Sequence, residues 1–295
     1  MHSARWSRLF VIALAPLAGS MSVGCSLLAD LNGLAQSSDG GEGRNVADAT
    51  VDARPDESGG GDAAATGGGD AGQVVAIAED DFERTVSPGF SDAPRGGPWR
   101  VIAPNGEVEG FSVDGHRGVM LLRETAAVGA YLAVLEDVAR DDVEVAVTFA
   151  TDRLPVNGPA TLAAYARLRP DDNYVCNVSL RSSGDVHLVL QGQAAGTTIP
   201  LTTDGPFLTA TAARTKLRLR FQVFGLSPTT LRAKVWVEGT PEPATWQIQA
   251  SDSSPVLQTK GTVGVAAHVG TAVTNMPVTA FVDDLLVRPA SLLPN

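Results

Sequence analysis

The chain has 295 residues, a formal net charge of −11 and only 2 cysteines. The acidity is uneven: Ser26 to Asp80 holds eleven Asp or Glu against two Arg, whereas Asp81 to Asn295 holds twenty-two acids and eighteen bases. A mildly acidic domain with no Lys/Arg cluster gains no counterion-release energy from nucleic acid, which sets that partner class aside, and two cysteines cannot build a disulfide framework.

At the N-terminus, His2, Arg5 and Arg8 form a short basic region, and Leu9 to Ala18 an apolar run followed by small residues. That run is too short to span a bilayer permanently, so residues 1–24 read as a cleaved export signal. Ser22-Val23-Gly24-Cys25 resembles the lipobox of bacterial lipoproteins, with Ser22 where that family usually has Leu. The resemblance implies that Cys25 is lipidated and becomes the mature N-terminus. Its acyl chains would tether the protein to the bacterial cell envelope, at the outer membrane, each buried methylene contributing about 0.8 kcal/mol. The alternative is an ordinary signal cut nearby, with Cys25 incidental. With Cys25 lipidated, Cys176 has no intramolecular partner, and lacking metal-ligand neighbours it reads as a small buried core residue.

Residues 25–73 form the next unit. After a brief apolar stretch from Leu27 to Leu34 comes Gly, Ala, Ser, Asp and Thr, including Gly59-Gly60-Gly61-Asp62 and Gly67-Gly68-Gly69-Asp70. Without aromatic residues, with few aliphatics and with repelling charges, this composition predicts a disordered linker. The two GGGD copies lack the aliphatic positions that a calcium-binding β-helix must bury.

From residue 74 to 295 the pattern changes to about thirteen short alternating runs separated by Gly, Pro, Asn and Asp. Val143, Val145, Val147 and Phe149 alternate with Glu144, Ala146 and Thr148; Leu217, Leu219, Phe221 and Val223 alternate with Arg218, Arg220 and Gln222. Leu231, Ala233, Val235 and Val237 alternate with Arg232, Lys234 and Trp236. A period of two puts one set on a buried face and the other outward. Turn signals such as Asn105-Gly106 and Ser183-Gly184 fall between the runs. So many strands predict an all-β, two-sheet antiparallel β-sandwich, because one open sheet of that size would curl or split.

Asp80-Asp81-Phe82 opens this domain and Phe281-Val282-Asp283-Asp284-Leu285 closes it. Between them lie Ser227-Pro228-Thr229-Thr230-Leu231-Arg232-Ala233-Lys234-Val235-Trp236 and Pro243-Ala244-Thr245-Trp246-Gln247. Together these resemble the concanavalin A-like lectin/glucanase superfamily of jelly rolls, especially the laminin-G-like modules of bacterial surface proteins, over residues 79–290. The resemblance implies a fold that hosts lectins, hydrolases and plain adhesion modules alike.

Catalytic patterns are missing. The E-x-D-x-x-E strand of the glucanase branch does not occur, nor do G-x-S-x-G, H-E-x-x-H, a phosphate-binding G-x-x-x-x-G-K or a C-x-x-C pair. In related jelly rolls the first and last strands lie side by side, which implies a structural calcium held by Asp81 with Asp283 or Asp284. Exposed strand-end charges or turn caps explain the same acids equally well.

Strand phase supplies a binding face. Leu162, Ala164, Ala166 and Leu168 read as buried, turning Tyr165, Arg167 and Arg169 outward; Val186, Leu188 and Leu190 likewise turn out Asp185 and His187. Arg220, Gln222 and Trp236 lie on the polar sides of their strands. An aromatic plate beside planar donors suits sugar recognition, so Tyr165, Arg167, His187, Arg220, Gln222 and Trp236 are the candidate carbohydrate-binding residues. The opposing reading covers Trp236 with the loop Gly239 to Thr245 and pairs the arginines with acids across strands. Phe149, Phe221 and Trp246 are assigned to the core. The expectation is therefore an envelope lipoprotein that reaches the membrane through its lipid anchor only. It displays a non-catalytic lectin-like sandwich toward a polysaccharide or another cell-surface component. A glycoside hydrolase of the 3-keto-disaccharide hydrolase type and a purely structural surface protein are the alternatives.

Overall fold

Alternating apolar residues drive the chain into strands that bury one face each, and the computed structural model describes them for residues 75–209 and 211–290. The expected export signal, Cys25 and the linker to residue 73 lie outside the described residues. The strands run β1 (Ala78–Asp80), β2 (Thr85–Val86), β3 (Asp92–Ala93), β4 (Gly97–Ile102), β5 (Phe111–Asp114) and β6 (Gly118–Leu122). They continue as β7 (Tyr131–Arg140), β8 (Val143–Thr151), β9 (Ala160–Leu168), β10 (Asn173–Leu180), β11 (Val186–Ala194) and β12 (Thr197–Pro200). The last are β13 (Gly205–Leu208), β14 (Leu217–Phe224), β15 (Thr229–Val237), β16 (Ile248–Asp252), β17 (Gly261–Val269) and β18 (Val278–Arg288). The strands in excess of the thirteen expected include pieces of two to four residues, such as β2, β3 and β12, too short to show a period in the sequence.

Two nine-stranded sheets result. The first runs β16-β15-β14-β8-β18-β6-β5-β2, with β1 also on β18; the second runs β12-β11-β10-β9-β17-β7-β4-β3, with β13 also on β11. All pairings are antiparallel, and β1 lies against β18 with Ala78 opposite Val287 and Asp80 opposite Leu285. The opening and closing motifs therefore meet, as the jelly-roll resemblance implies. Between the sheets sits one core, which includes Leu219, Phe221, Val145, Val147, Leu188, Leu190, Val263 and Val265, all at most 1% exposed. Burying a side chain of this size contributes about 1.5–3 kcal/mol. Among the described residues, the buried side chains of this core run from Ala78 to Val287.

The opening motif has a structural task. Asp80 is 1% exposed and accepts hydrogen bonds from Trp99 Nε1 at 2.7 Å, Arg84 at 2.6 and 2.8 Å, and the Phe82 amide at 2.9 Å. The hydrogen bond to Asp80 also raises the Arg84 pKa. A buried carboxylate is tolerated only when so satisfied. It fixes the rings of Phe82, Phe90 and Trp99, which meet with centroids 5.4–6.1 Å apart.

One break in alternation changes which side chains face out. On β9, Arg167 has φ of 49° and sits where the β17 register shifts between Thr262 and Gly264. This bulge turns Arg167 inward, to 0% exposure, and sends Leu168 to the outer face. The Arg167 guanidinium donates to Asp141 O at 2.8 Å, Thr229 Oγ1 at 2.7 Å, Leu257 O at 3.0 Å and Gly225 O at 2.7 Å. It ties β9 to turns of the opposite sheet, and burial lowers its pKa. The expectation that Arg167 faces outward and binds sugar is corrected here, because a period-two reading cannot see a bulge.

Candidate functional site

The outer face of the second sheet is organised in register rows. One row crosses the strands as His268, Thr161, Ser179 and His187; the next as Leu132, Ala266, Ala163, Asn177 and Val189. A third runs Arg100, Val134, Gly264, Tyr165, Val175, Gln191 and Pro200, and a fourth holds Asn173, Gln193 and Thr198. The β7–β17–β9 side of this face is apolar and self-burying: Leu132, Val134, Ala163, Tyr165, Val175 and Ala266 form a second cluster outside the main core. The β10–β12 side is polar. Where the two meet, Tyr165, Asn173, Val175, Asn177, Gln191, Gly192, Gln193 and Thr198 line a shallow cleft of about 280 Å³ including its open mouth.

The amides along this cleft form pairs across strands. Asn177 Nδ2 donates to Gln191 Oε1 at 2.8 Å, and Asn173 Nδ2 donates to Gln193 Oε1 at 3.0 Å. Gln193 Nε2 donates in turn to the Gly196 carbonyl at 3.3 Å. A backbone carbonyl can only accept, so it fixes which end of Gln193 faces Asn173 and leaves Asn173 Oδ1 turned away from the pair. That oxygen is buried and has no hydrogen-bond partner among the described residues. An acceptor left in this state costs about 1–3 kcal/mol. Tyr165 is 4% exposed and burial raises its pKa, so its hydroxyl stays protonated near neutrality.

Around the cleft, charges are matched. His187 Nδ1 meets Asp204 Oδ1 at 2.9 Å, and Arg181 meets the same carboxylate at 2.6 Å. Arg169 pairs with Asp172 at 2.8 Å and Arg100 with Glu136 at 3.0 Å. At the far end of the face His268 has a buried Nδ1 with no partner among the described residues, and burial lowers its pKa to about 4.

The six candidate sugar-binding residues do not form one group. Tyr165 and His187 share the outer face of the second sheet, whereas Arg220, Gln222 and Trp236 belong to the outer face of the first, on the other side of the sandwich. Arg167 lies on neither. On the first sheet, Arg288, Glu144, Gln222 and Arg232 line up in register. Glu144 is 1% exposed; Arg288 Nε reaches it at 2.6 Å, Arg220 Nε at 2.8 Å, and Gln222 Nε2 donates to it. The β15–β16 loop closes over this cluster. Glu242 pairs with Arg220 at 2.8 Å and Lys234 at 2.7 Å, and Lys234 donates to Pro243 O at 2.9 Å. Burial alone would raise the Glu242 pKa, but hydrogen bonds from Lys234 and Arg220 hold it below the ordinary carboxylate value.

Trp246, expected in the core, instead lies on this outer cluster. Its ring centroid is 4.5 Å from Arg232, 4.9 Å from Lys234 and 5.5 Å from Arg220. Trp236 remains half-buried on β15. Arg220 is thus committed to Glu144 and Glu242, and Gln222 to Glu144 and Arg232, beside the half-buried ring of Trp246.

The candidate calcium acids are also engaged. Asp81 caps the Glu83 amide at 3.2 Å, Asp283 faces Lys216 at 3.4 Å, and Asp284 faces Arg218 at 2.9 Å. Burial and the neighbouring Asp284 raise the Asp283 pKa. Among the described residues no group of three or more His, Cys, Asp or Glu side chains is placed to hold a metal ion. Sequence reasoning missed Asn173, Asn177, Gln191 and Gln193, although the alternation that turns Asp185 and His187 outward continues to Gln191 and Gln193.

No protein-family model matches the chain, and no curated protein matches it. Among solved structures, the alginate lyase Aly36B in complex with an alginate tetrasaccharide, in mutant form, is similar with a TM-score of 0.52 at 9% identity, over 75% of this chain and 100% of that one. A second structure of Aly36B gives a TM-score of 0.51 at 10% identity, again over 75% and 100%. A β-glucanase of Bacillus licheniformis gives 0.48 at 9% identity, over 74% and 100%. At these identities the likeness concerns the fold alone, a sandwich of two antiparallel sheets.

Proposed function

We propose that the chain is a non-catalytic carbohydrate-binding jelly roll, lipid-anchored to the bacterial cell envelope through Cys25, with its glycan site in the cleft beside Tyr165. The observation that carries this reading is the paired amides, Asn177 with Gln191 and Asn173 with Gln193, flanking a tyrosine and an unpartnered buried acceptor. Amides offer donor and acceptor side by side, which matches vicinal hydroxyls. The fold shared with an alginate lyase solved with a tetrasaccharide is consistent with a saccharide partner.

Binding is favoured over cleavage by the chemistry of the lining. A glycoside hydrolase needs two carboxylates across the scissile bond. None of the eight lining residues is a carboxylate or a histidine, and Asp204 nearby is held by Arg181 and His187. The anchor rests on the lipobox-like Ser22–Cys25 segment.

The test uses the chain from Val75 onward in pull-down and calorimetry on a panel of insoluble and soluble polysaccharides. Binding to at least one glycan is expected, and Asn177→Ala combined with Gln191→Ala should weaken it by about tenfold or more, each lost hydrogen bond removing roughly 0.5–1.5 kcal/mol. The melting temperature should stay nearly unchanged, since both side chains are half-buried at the surface. Absence of binding to every glycan, or unchanged binding in the double variant, would remove the reading. Sugar release during the assay would turn it toward an enzyme.

A further inference from the structure

We infer that the cleft beside Tyr165 selects an uncharged polysaccharide, built from neutral hexose or pentose units, and discriminates against polyuronates; this rests on the reading of the cleft as the glycan site. A polyuronate carries one carboxylate per sugar and needs a cation, or several donors with no competing acceptor, at each subsite it occupies. The eight lining residues are all uncharged. The arginines at the margins offer no free charge, because Arg169 and Arg181 are closed by Asp172 and Asp204 at 2.8 and 2.6 Å, and Arg100 by Glu136 at 3.0 Å. An incoming carboxylate would have to displace one of these acids while meeting the field of the others.

The hydrogen-bond polarity of the amides points the same way. Gly196 O orients Gln193, and Gln193 orients Asn173, so that Asn173 Oδ1, in a residue that lines the cleft, is left as a buried acceptor with no partner among the described residues. A hydroxyl that reaches this oxygen has a proton to donate, and a carboxylate ion has none. His268, at the far end of the same face, adds no positive charge at neutral pH because burial keeps it unprotonated above about pH 4. The surrounding domain is itself mildly acidic, with twenty-two acids and eighteen bases from Asp81 onward. Long-range attraction for a polyanion is therefore missing as well as local pairing. The cleft thus differs in chemistry from what an alginate-binding site requires, although the fold is shared with an alginate lyase.

Calorimetry or affinity electrophoresis on the chain from Val75 onward tests this, with neutral glucan, mannan, galactan and xylan set against alginate and polygalacturonate, at low and high salt. The expected result is binding to a neutral polymer that changes less than about twofold between roughly 0.02 and 0.5 M NaCl, since no ion pair is there to be screened. Binding to the polyuronates should be weaker by about tenfold or more, the loss expected for a carboxylate desolvated against an uncharged lining with no pairing cation. Equal or tighter binding to alginate or polygalacturonate that falls with salt and is lost in the Asn177→Ala, Gln191→Ala variant would overturn the selectivity and leave the cleft as the glycan site. Binding to none of the six polymers would remove the glycan site itself.

Discussion

His268 is a histidine held neutral by burial, with a pKa lowered from 6.5 to about 4. Because the folded value lies below the unfolded one, the unfolded chain takes up a proton between pH 6.5 and about 4 that the folded chain refuses. Stability contributed by neutral His268 is therefore full above pH 6.5 and falls as the pH drops through that window. Wild type should lose on the order of 2 kcal/mol more than His268→Gln between pH 7 and 4.5 in urea unfolding. Equal losses would show that the imidazole is solvated. At this scale, alternation in the sequence does disclose that Tyr165, His187 and Gln191 leave the core. It does not disclose that Gln222 is locked beneath Arg232 and Glu144, because an outward phase says nothing about what covers a face.

Bulges and a crossing loop decide the elements. Gly261 packs against the Arg167 bulge so closely that a Cβ would collide with the Arg167 backbone. Gly261→Ala should therefore cost about 1–3 kcal/mol in thermal unfolding, the range for overpacking; a neutral effect would mean that the bulge relaxes freely. On the first sheet, Glu144→Ala leaves Arg220 and Arg288 facing each other without their shared carboxylate. It should cost on the order of 3 kcal/mol, part of the penalty for breaking a buried pair being relieved by the partial exposure of Arg288. A loss below about 1 kcal/mol would assign the cluster to the solvated surface pairs instead. The strands themselves were legible wherever β-period runs exceeded about five residues. The Arg167 turn-in was not, since Thr161, Ala163, Tyr165 and Arg167 alternate without a break against Ala160, Leu162, Ala164, Ala166 and Leu168 and carry no local sign of the extra residue. The same holds for Trp246, whose sequence neighbourhood of Pro and Thr gives no period at all.

At the scale of the whole molecule, the two outer faces of one sandwich differ in chemistry: the first carries the Glu144 and Glu242 ion pairs with the β15–β16 loop, the second an uncharged cleft. The jelly roll was legible because its motifs open and close the domain on paired strands β1 and β18. The division between faces was not, because strand phase gives in or out and leaves the sheet unnamed. For the anchor, Cys25→Ala should move the protein from the membrane fraction to the soluble one, and unchanged partitioning would argue for another attachment. On the proposed function, glycan meets the cleft of the second sheet and not the arginine–tryptophan face of the first. NMR titration of the chain from Val75 onward with the tightest-binding oligosaccharide measures both faces at once. With glycan in the cleft, the side-chain amide signals of Asn177 and Gln191 shift while the indole N–H signals of Trp236 and Trp246 stay in place; shifted indoles with static amides would place the glycan on the first sheet instead.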